Sequence, residues 1–128
     1  MKKVKTVIDM ITERANKMNE KFFDNELDIS NIIFIVSKRM TSSLGSYRRE
    51  YSHNKLIRQY IKISNRIIEG SEEWKNTLLH ELIHAWQELK GYTDSHGKSF
   101  KRKAYQISLI SDYKITRERK IEIEFKMP

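Results

Sequence analysis

One amphipathic helical pattern constrains this chain more than any other feature. Large apolar side chains recur at three- and four-residue steps over residues 74–89, which predicts a helix with a broad buried face. Ser71 stands where an N-cap is expected, and Glu72 and Glu73 follow at the positive end of the helix dipole. Gly91 is typical of the residue just past a helix end. The sequence therefore predicts a helix over residues 71–91 that packs on a core.

This helix contains a His-Glu-x-x-His pattern at positions 80–84. A four-residue step places His80 and His84 on one face, with Cβ atoms ~5–6 Å apart, so both imidazoles can reach one ion. A catalytic zinc needs a third protein ligand and an open position for water. His96 is the natural candidate, because a short turn can fold the next helix back across the first. We therefore expect a Zn²⁺ site formed by His80, His84 and His96.

Glu81 lies ~100° around the helix from His80 and is expected beside the metal without binding it. In that place its carboxylate can act as general base, while zinc lowers the pKa of its water and polarises a peptide carbonyl. The pattern arises by chance in roughly one chain in a hundred of this composition. The alternative is a helix with two surface histidines and no metal. His53 lies in a polar stretch and is expected to be an exposed loop residue.

The remaining patterns predict an α+β fold. An amphipathic pattern over residues 3–20 predicts an N-terminal helix, and a second pattern over 96–111 predicts the helix that follows the motif. Three short segments predict strands: a β-branched run at 32–36, a segment of suitable length with aromatics at 45–51, and a near alternation at 57–64. Because these strands follow one another closely, we expect an antiparallel sheet. Alternation over residues 119–126 predicts a possible extra C-terminal strand.

Length and composition limit the function classes. A chain of 128 residues predicts one domain over residues 1–128. Cysteine is absent, which excludes disulfides, thiolate zinc sites and a cysteine nucleophile. No apolar run approaches the ~18 residues of a membrane span. Asp9 and Thr12 interrupt the N-terminal apolar stretch before it reaches signal-peptide length. We therefore expect a cytoplasmic protein with no membrane partner, and association with the nucleoid is one possibility.

The net charge of +8 favours polyanionic partners. A basic run opens the second predicted helix, and further cations lie on the predicted sheet. Together they could form one positive face that binds single- or double-stranded DNA, although a solvated helix flank explains the run equally well. The residues are Lys98, Lys101, Arg102 and Lys103 on the helix, and Arg48, Arg49, Arg58 and Lys62 on the sheet.

Four segments resemble the SprT-like zinc metallopeptidases, the family that includes bacterial SprT and the DNA–protein crosslink protease Spartan. LLHELIHAW at 78–86 resembles the active-site helix of the family, and HGKSF at 96–100 resembles the element that supplies the third zinc ligand. MNEKFFDNEL at 18–27 and SKRMTSSLGSY at 37–47 resemble the segments around the first strands. The four segments stand in the order of the family and span roughly residues 15–110.

The resemblance implies a zincin-like minimal core of one helix, a three-stranded antiparallel sheet and two zinc-bearing helices. It also implies proteolysis, in the best-known relatives directed at proteins attached to DNA. Because the 128 residues contain no cysteine, we do not expect the C-terminal cysteine-rich zinc ribbon that several relatives have.

Three functional hypotheses follow. The first is an active zinc endopeptidase that binds nucleic acid and cleaves DNA-associated proteins. The second is a metal-stabilised nucleic-acid-binding module with little or no proteolysis. The third is a narrow-specificity cytosolic regulatory peptidase whose charge is unrelated to DNA. The sequence does not identify the side chains that orient the histidines, although Asp94, Ser95 and Asp112 lie near them in the chain.

Overall fold

The computed structural model describes residues 6–38, 44–67 and 70–111. Helix α1 spans Val7–Phe22, and a single 3₁₀ turn at Ile29–Asn31 leads into the strands. Three strands and two further helices follow in the described part of the chain: β1 (Ile32–Ser37), β2 (Gly45–Ser52), β3 (Lys55–Ser64), α2 (Glu72–Lys90) and α3 (Lys98–Leu109). The predicted C-terminal strand over 119–126 lies outside the described residues. No helix in the described segments is long and apolar enough to cross a membrane.

Helix α1 confirms the predicted N-terminal helix and begins with a capping box. The Asp9 amide donates to Thr6 Oγ1 at 3.0 Å, and the Thr6 amide donates to Asp9 Oδ2 at 3.1 Å. These reciprocal bonds satisfy two amides that have no partner inside the helix. The buried stripe of α1 includes Ile11, Met18 and Phe22, so the helix lies along the core.

The sheet is mixed, and the prediction of an antiparallel sheet was wrong. In the described residues the strand order is β1-β3-β2. β2 and β3 are antiparallel, whereas β1 pairs parallel to β3, with Phe34 beside Ile61. The connection from β1 to β3 covers residues 38–54, which is long enough for the crossover that a parallel pair requires. The described residues of that connection include β2 itself. The pattern of three closely spaced strands does not reveal this arrangement.

The β2–β3 hairpin turns at His53 and Asn54, whose φ angles are +52° and +63°. His53 is exposed there, as the sequence predicted. The two faces of the sheet differ because side chains alternate along each strand. The inner face carries Phe34, Ile61 and Ile63 into the core under α1 and α2.

Helix α2 has the ends that the sequence predicted. Ser71 is the N-cap, and its side chain accepts the Trp74 amide at 3.2 Å. Gly91 follows the last helical residue with φ of +79°, a left-handed conformation that glycine adopts without steric cost. Every residue from 77 to 83 is buried, so the middle of α2 is enclosed on all sides.

Helix α3 begins two residues later than predicted. His96 lies in the turn before the helix, which starts at Lys98 after Gly97 at the N-cap position. The Ser99 amide donates to Asp94 Oδ2 at 2.7 Å, so a carboxylate outside the helix accepts one of its first amides. The expectation of two helices that each carry ligands is therefore corrected: α2 carries two histidines, and the α2–α3 turn carries the third.

The cap of α2 gives the first testable prediction. Ser71→Ala should lower the free energy of unfolding by about 1 kcal/mol, because the Trp74 amide loses its acceptor. Ser71→Asp keeps an acceptor at the same place and should stay close to wild type. Urea unfolding followed by circular dichroism measures both. Equal midpoints for the alanine variant and wild type would show that this cap does not stabilise α2.

Candidate metal centre

The three predicted histidine ligands converge on one point. His80 and His84 project from one face of α2, and His96 reaches them from the α2–α3 turn. The Nε2 atom of His96 lies 3.1 Å from Nε2 of His80 and 3.2 Å from Nε2 of His84. The potential ligand atoms of the three residues all lie within 4.8 Å of one another. His80 is buried, and the other two are half-buried.

This arrangement has the dimensions of a metal site. Imidazole nitrogens at ~2.05 Å from a tetrahedral zinc are ~3.4 Å apart, close to the observed separations. Neutral imidazole is the commonest metal ligand among side chains. The three histidines could therefore hold a metal ion.

Phe100 forms an apolar wall behind the three imidazoles. Its ring centroid lies 4.7 Å from that of His80, 5.1 Å from that of His84 and 5.0 Å from that of His96. Phe100 is fully buried in the first turn of α3. Packing of α3 on α2 therefore limits the positions that all three rings can take.

Gln87 is a site residue that the sequence analysis missed. Its Oε1 atom lies 2.7 Å from His84 Nδ1, and its Nε2 donates to the Ser95 carbonyl at 2.7 Å and to Ser99 Oγ at 2.8 Å. Gln87 is buried. A polar residue three positions after His84, on the same side of the helix, was the available signal.

Two of the residues noted near His96 belong to the same network. Asp94 accepts from both the amide and the hydroxyl of Ser99. The hydrogen bond from the Ser99 hydroxyl, and to a smaller extent the one from its amide, holds the pKa of the Asp94 carboxyl below its usual range. Ser95 contributes its carbonyl to Gln87, whereas Asp112 lies outside the described residues.

Glu81 is buried beside β2. An ideal Cβ placed on Gly45, the first residue of β2, would lie 3.1 Å from Glu81 Oε2 and 2.7 Å from Thr77 Cγ2. The strand can approach α2 this closely because glycine has no side chain. Glu81 also lines the same cleft as His84 and His96.

That cleft has a volume of about 390 Å³. The β2 strand forms one wall with Ser46, Tyr47 and Arg49. The lining also includes Tyr92, Thr93, Ser95 and His96 from the α2–α3 turn. The Tyr47 ring is stacked near that of His84, with centroids 6.3 Å apart, and its hydroxyl donates to Gln59 Oε1 at 2.6 Å. Burial raises the pKa of Tyr47 above its ordinary value, so this hydroxyl stays protonated at neutral pH.

The sheet cations point in different directions. Arg49 faces the cleft side, where its Nε lies 3.0 Å from Glu88 Oε1, and the Tyr51 hydroxyl donates to the same carboxylate. Arg48 lies on the outer face of the sheet, with its guanidinium carbon 4.5 Å from the centre of the Tyr60 ring. Successive residues of a strand alternate in this way.

The basic side chains of α3 differ in their contacts and in their exposure. Lys103 Nζ lies over the rings of Phe23 and Trp86, at 5.1 and 5.0 Å from their centroids. Burial lowers the pKa of Lys103. Lys98 and Arg102 are exposed, and Lys101 is half-buried.

Comparison with known proteins adds one match. The family model described as the SprT-like family matches residues 11–120. No curated protein matches the chain.

The contact between β2 and α2 generates the second prediction. Gly45→Ala should destabilise the protein by about 1–3 kcal/mol, because its new methyl group would overlap Thr77 Cγ2. Adding Thr77→Ser, which removes that methyl, should restore part of the loss. Thermal unfolding of both single variants and the double variant measures the coupling. Strictly additive effects would show that the two groups do not clash.

Proposed function

The chain belongs to the SprT-like family, and from that premise we propose that it is a zinc-dependent endopeptidase that cleaves DNA-associated proteins. One observation carries the proposal. Three imidazole nitrogens converge, and two of these histidines, His84 and His96, line a cleft together with the buried Glu81 and a strand of the sheet.

The donor set supports zinc as the metal. His80, His84 and His96 offer three nitrogen ligands, the number found in catalytic zinc sites that keep a fourth position for water or substrate. When bound, zinc lowers the pKa of water and polarises a carbonyl oxygen.

Glu81 supplies the proton transfers of the proposed reaction. It directly follows His80 in α2 and lines the cleft with His84 and His96. Its carboxylate oxygen would take a proton from the attacking water and then deliver it to the nitrogen of the leaving amine. The close approach of Gly45 to Glu81 Oε2 limits the movement of the carboxylate, which favours a fixed position for the transfer.

Strand β2 supports a peptide as the substrate. Within the described residues β2 pairs with β3 on one side only. An extended peptide can add to such an edge through main-chain hydrogen bonds. Because Ser46, Tyr47 and Arg49 also line the cleft, a peptide on this edge would pass close to Glu81.

Replacement of Glu81 gives the third prediction. Glu81→Gln should keep zinc and lower cleavage by about 10²–10⁴-fold, because the amide cannot accept the proton of water. The assay is cleavage of a basic DNA-binding protein by the zinc-loaded enzyme, with and without single-stranded DNA. Zinc content measured after dialysis controls for loss of the metal.

Each outcome of this assay separates the hypotheses. Equal cleavage by Glu81→Gln and wild type would exclude Glu81 as the base. Cleavage that needs Glu81 but not DNA would support the peptidase mechanism and count against activation by DNA. No cleavage by wild type with zinc bound would favour either a metal-stabilised nucleic-acid-binding module or a narrow-specificity peptidase with a different substrate.

The outer face of the sheet supports contact with nucleic acid. Arg48 and Lys62 are exposed there. Tyr60 pairs with Arg48 across the two strands and lies two residues before Lys62 on β3. Arg58 belongs to the same face, although its guanidinium lies 3.8 Å from Glu50. Cations next to an aromatic ring are typical of surfaces that bind single strands through phosphate and base contacts. The net charge of +8 favours the same partner.

A pair of double variants gives the fourth prediction. Arg48→Ala/Lys62→Ala should weaken binding to single-stranded DNA and reduce the slope of log affinity against log salt by about 1–2. Lys98→Ala/Arg102→Ala tests the exposed cations of α3 in the same assay. Lys17→Ala/Lys75→Ala removes the same charge from α1 and α2 and serves as the control. An equal effect of all three pairs would indicate a response to net charge alone.

A further inference from the structure

Gln87 connects parts of the metal centre that come from different elements. It lies near the C-terminal end of α2, three residues after His84, and only 4% of it is exposed. Its side-chain oxygen lies next to His84, and its nitrogen donates to two groups of the segment that contains His96. A buried amide with both ends engaged cannot rotate without breaking several hydrogen bonds.

The surroundings of Gln87 determine the orientation of its amide. The Ser95 carbonyl can only accept, so the group 2.7 Å from it must be the Gln87 nitrogen. Ser99 Oγ donates to Asp94 and can therefore accept from the same nitrogen. The Gln87 oxygen must then face His84 Nδ1.

This orientation fixes the tautomer of His84. An amide oxygen next to Nδ1 requires that Nδ1 carry the proton, and the lone pair of the neutral ring is then at Nε2. Nε2 is the atom that lies 3.2 Å from Nε2 of His96. Gln87 thus presents the metal-binding nitrogen of His84 to the other ligands.

The same side chain holds the turn of the third ligand. Ser95 directly precedes His96, and its carbonyl is tied to Gln87. Ser99 lies in the first turn of α3 and directly precedes Phe100, which packs on all three imidazoles. A shift of the turn away from α2 would therefore break the bonds to Gln87.

We propose that Gln87 is a positioning residue of the metal centre, which sets the tautomer of His84 and holds the His96 turn through one amide. The inference rests on the proposed zinc site and adds a residue that acts through the ligands. Side chains that hydrogen-bond a ligating histidine typically change metal affinity by 10–100-fold when removed.

Two variants separate the functions of the amide. Gln87→Met keeps the approximate length and removes both the acceptor and the donor, so zinc affinity should fall by about 10–100-fold. Gln87→Glu keeps the acceptor at His84 Nδ1 and removes the donor to the Ser95 carbonyl. Its zinc affinity should lie between those of Gln87→Met and wild type, because the His84 tautomer is preserved.

The experiment measures zinc affinity of the full chain by competition with a chromophoric chelator. The visible spectrum of the Co²⁺-substituted protein reports the ligand geometry, which a general loss of stability does not alter. Asn19→Leu is the control: Asn19 is another buried amide, and it bonds the backbone of Leu27, in a loop that holds none of the three histidines. That variant should keep both the wild-type affinity and the Co²⁺ spectrum.

The outcomes are distinct. Wild-type affinity and spectrum in Gln87→Met would overturn the positioning role, and so would equal losses in the methionine and glutamate variants. Failure of wild type itself to bind zinc would overturn both this inference and the proposed function. Zinc binding without cleavage by wild type would overturn the proposed endopeptidase alone, because the affinity readout does not depend on activity.

Discussion

Burial of the middle of α2 on all sides is the constraint on which the rest of the structure depends. Residues 77–83 are all buried, so the helix packs against the sheet, α1 and α3. A helix enclosed in this way is normally apolar throughout, yet His80 and Glu81 stand at its centre. Burial of polar groups costs free energy, so a functional role for these two residues, such as the proposed metal centre, explains their presence. Packing of the leucine and isoleucine neighbours also fixes the angles at which the polar side chains project.

The mixed sheet brings a second element to this helix. Because β3 lies between β1 and β2, the strand next in sequence to β1 becomes the opposite edge of the sheet. This edge passes α2 at Gly45, where only a residue without a side chain fits against Thr77 and Glu81. Farther along, Tyr47 contacts His84 and Arg49 pairs with Glu88. The strand and the helix thus form one cleft, and the topology that was not predicted is what creates it.

Sequence patterns predicted the features that depend on local interactions. Both ends of α2 follow from the Ser71 cap and the left-handed Gly91, which involve neighbouring residues. The proximity of the three histidines was predicted from the four-residue spacing on one helix and from one short turn after it. Strand order could not be predicted, because the position of β3 between β1 and β2 depends on contacts between distant residues. Gln87 was missed for the same reason, since its partners Ser95 and Ser99 approach only after the chain has reversed direction.

The turn that carries His96 would ordinarily be the least rigid part of such a centre, because loops are generally more mobile than the elements they connect. Here the turn is bonded to α2 at several points. The Tyr92 amide donates to the Gln87 carbonyl at 2.9 Å, and the Gln87 side chain holds Ser95 from the same residue. At the other end, Asp94 binds the start of α3. The position of His96 is therefore set by α2 as much as by its own segment, and one helix positions all three histidines.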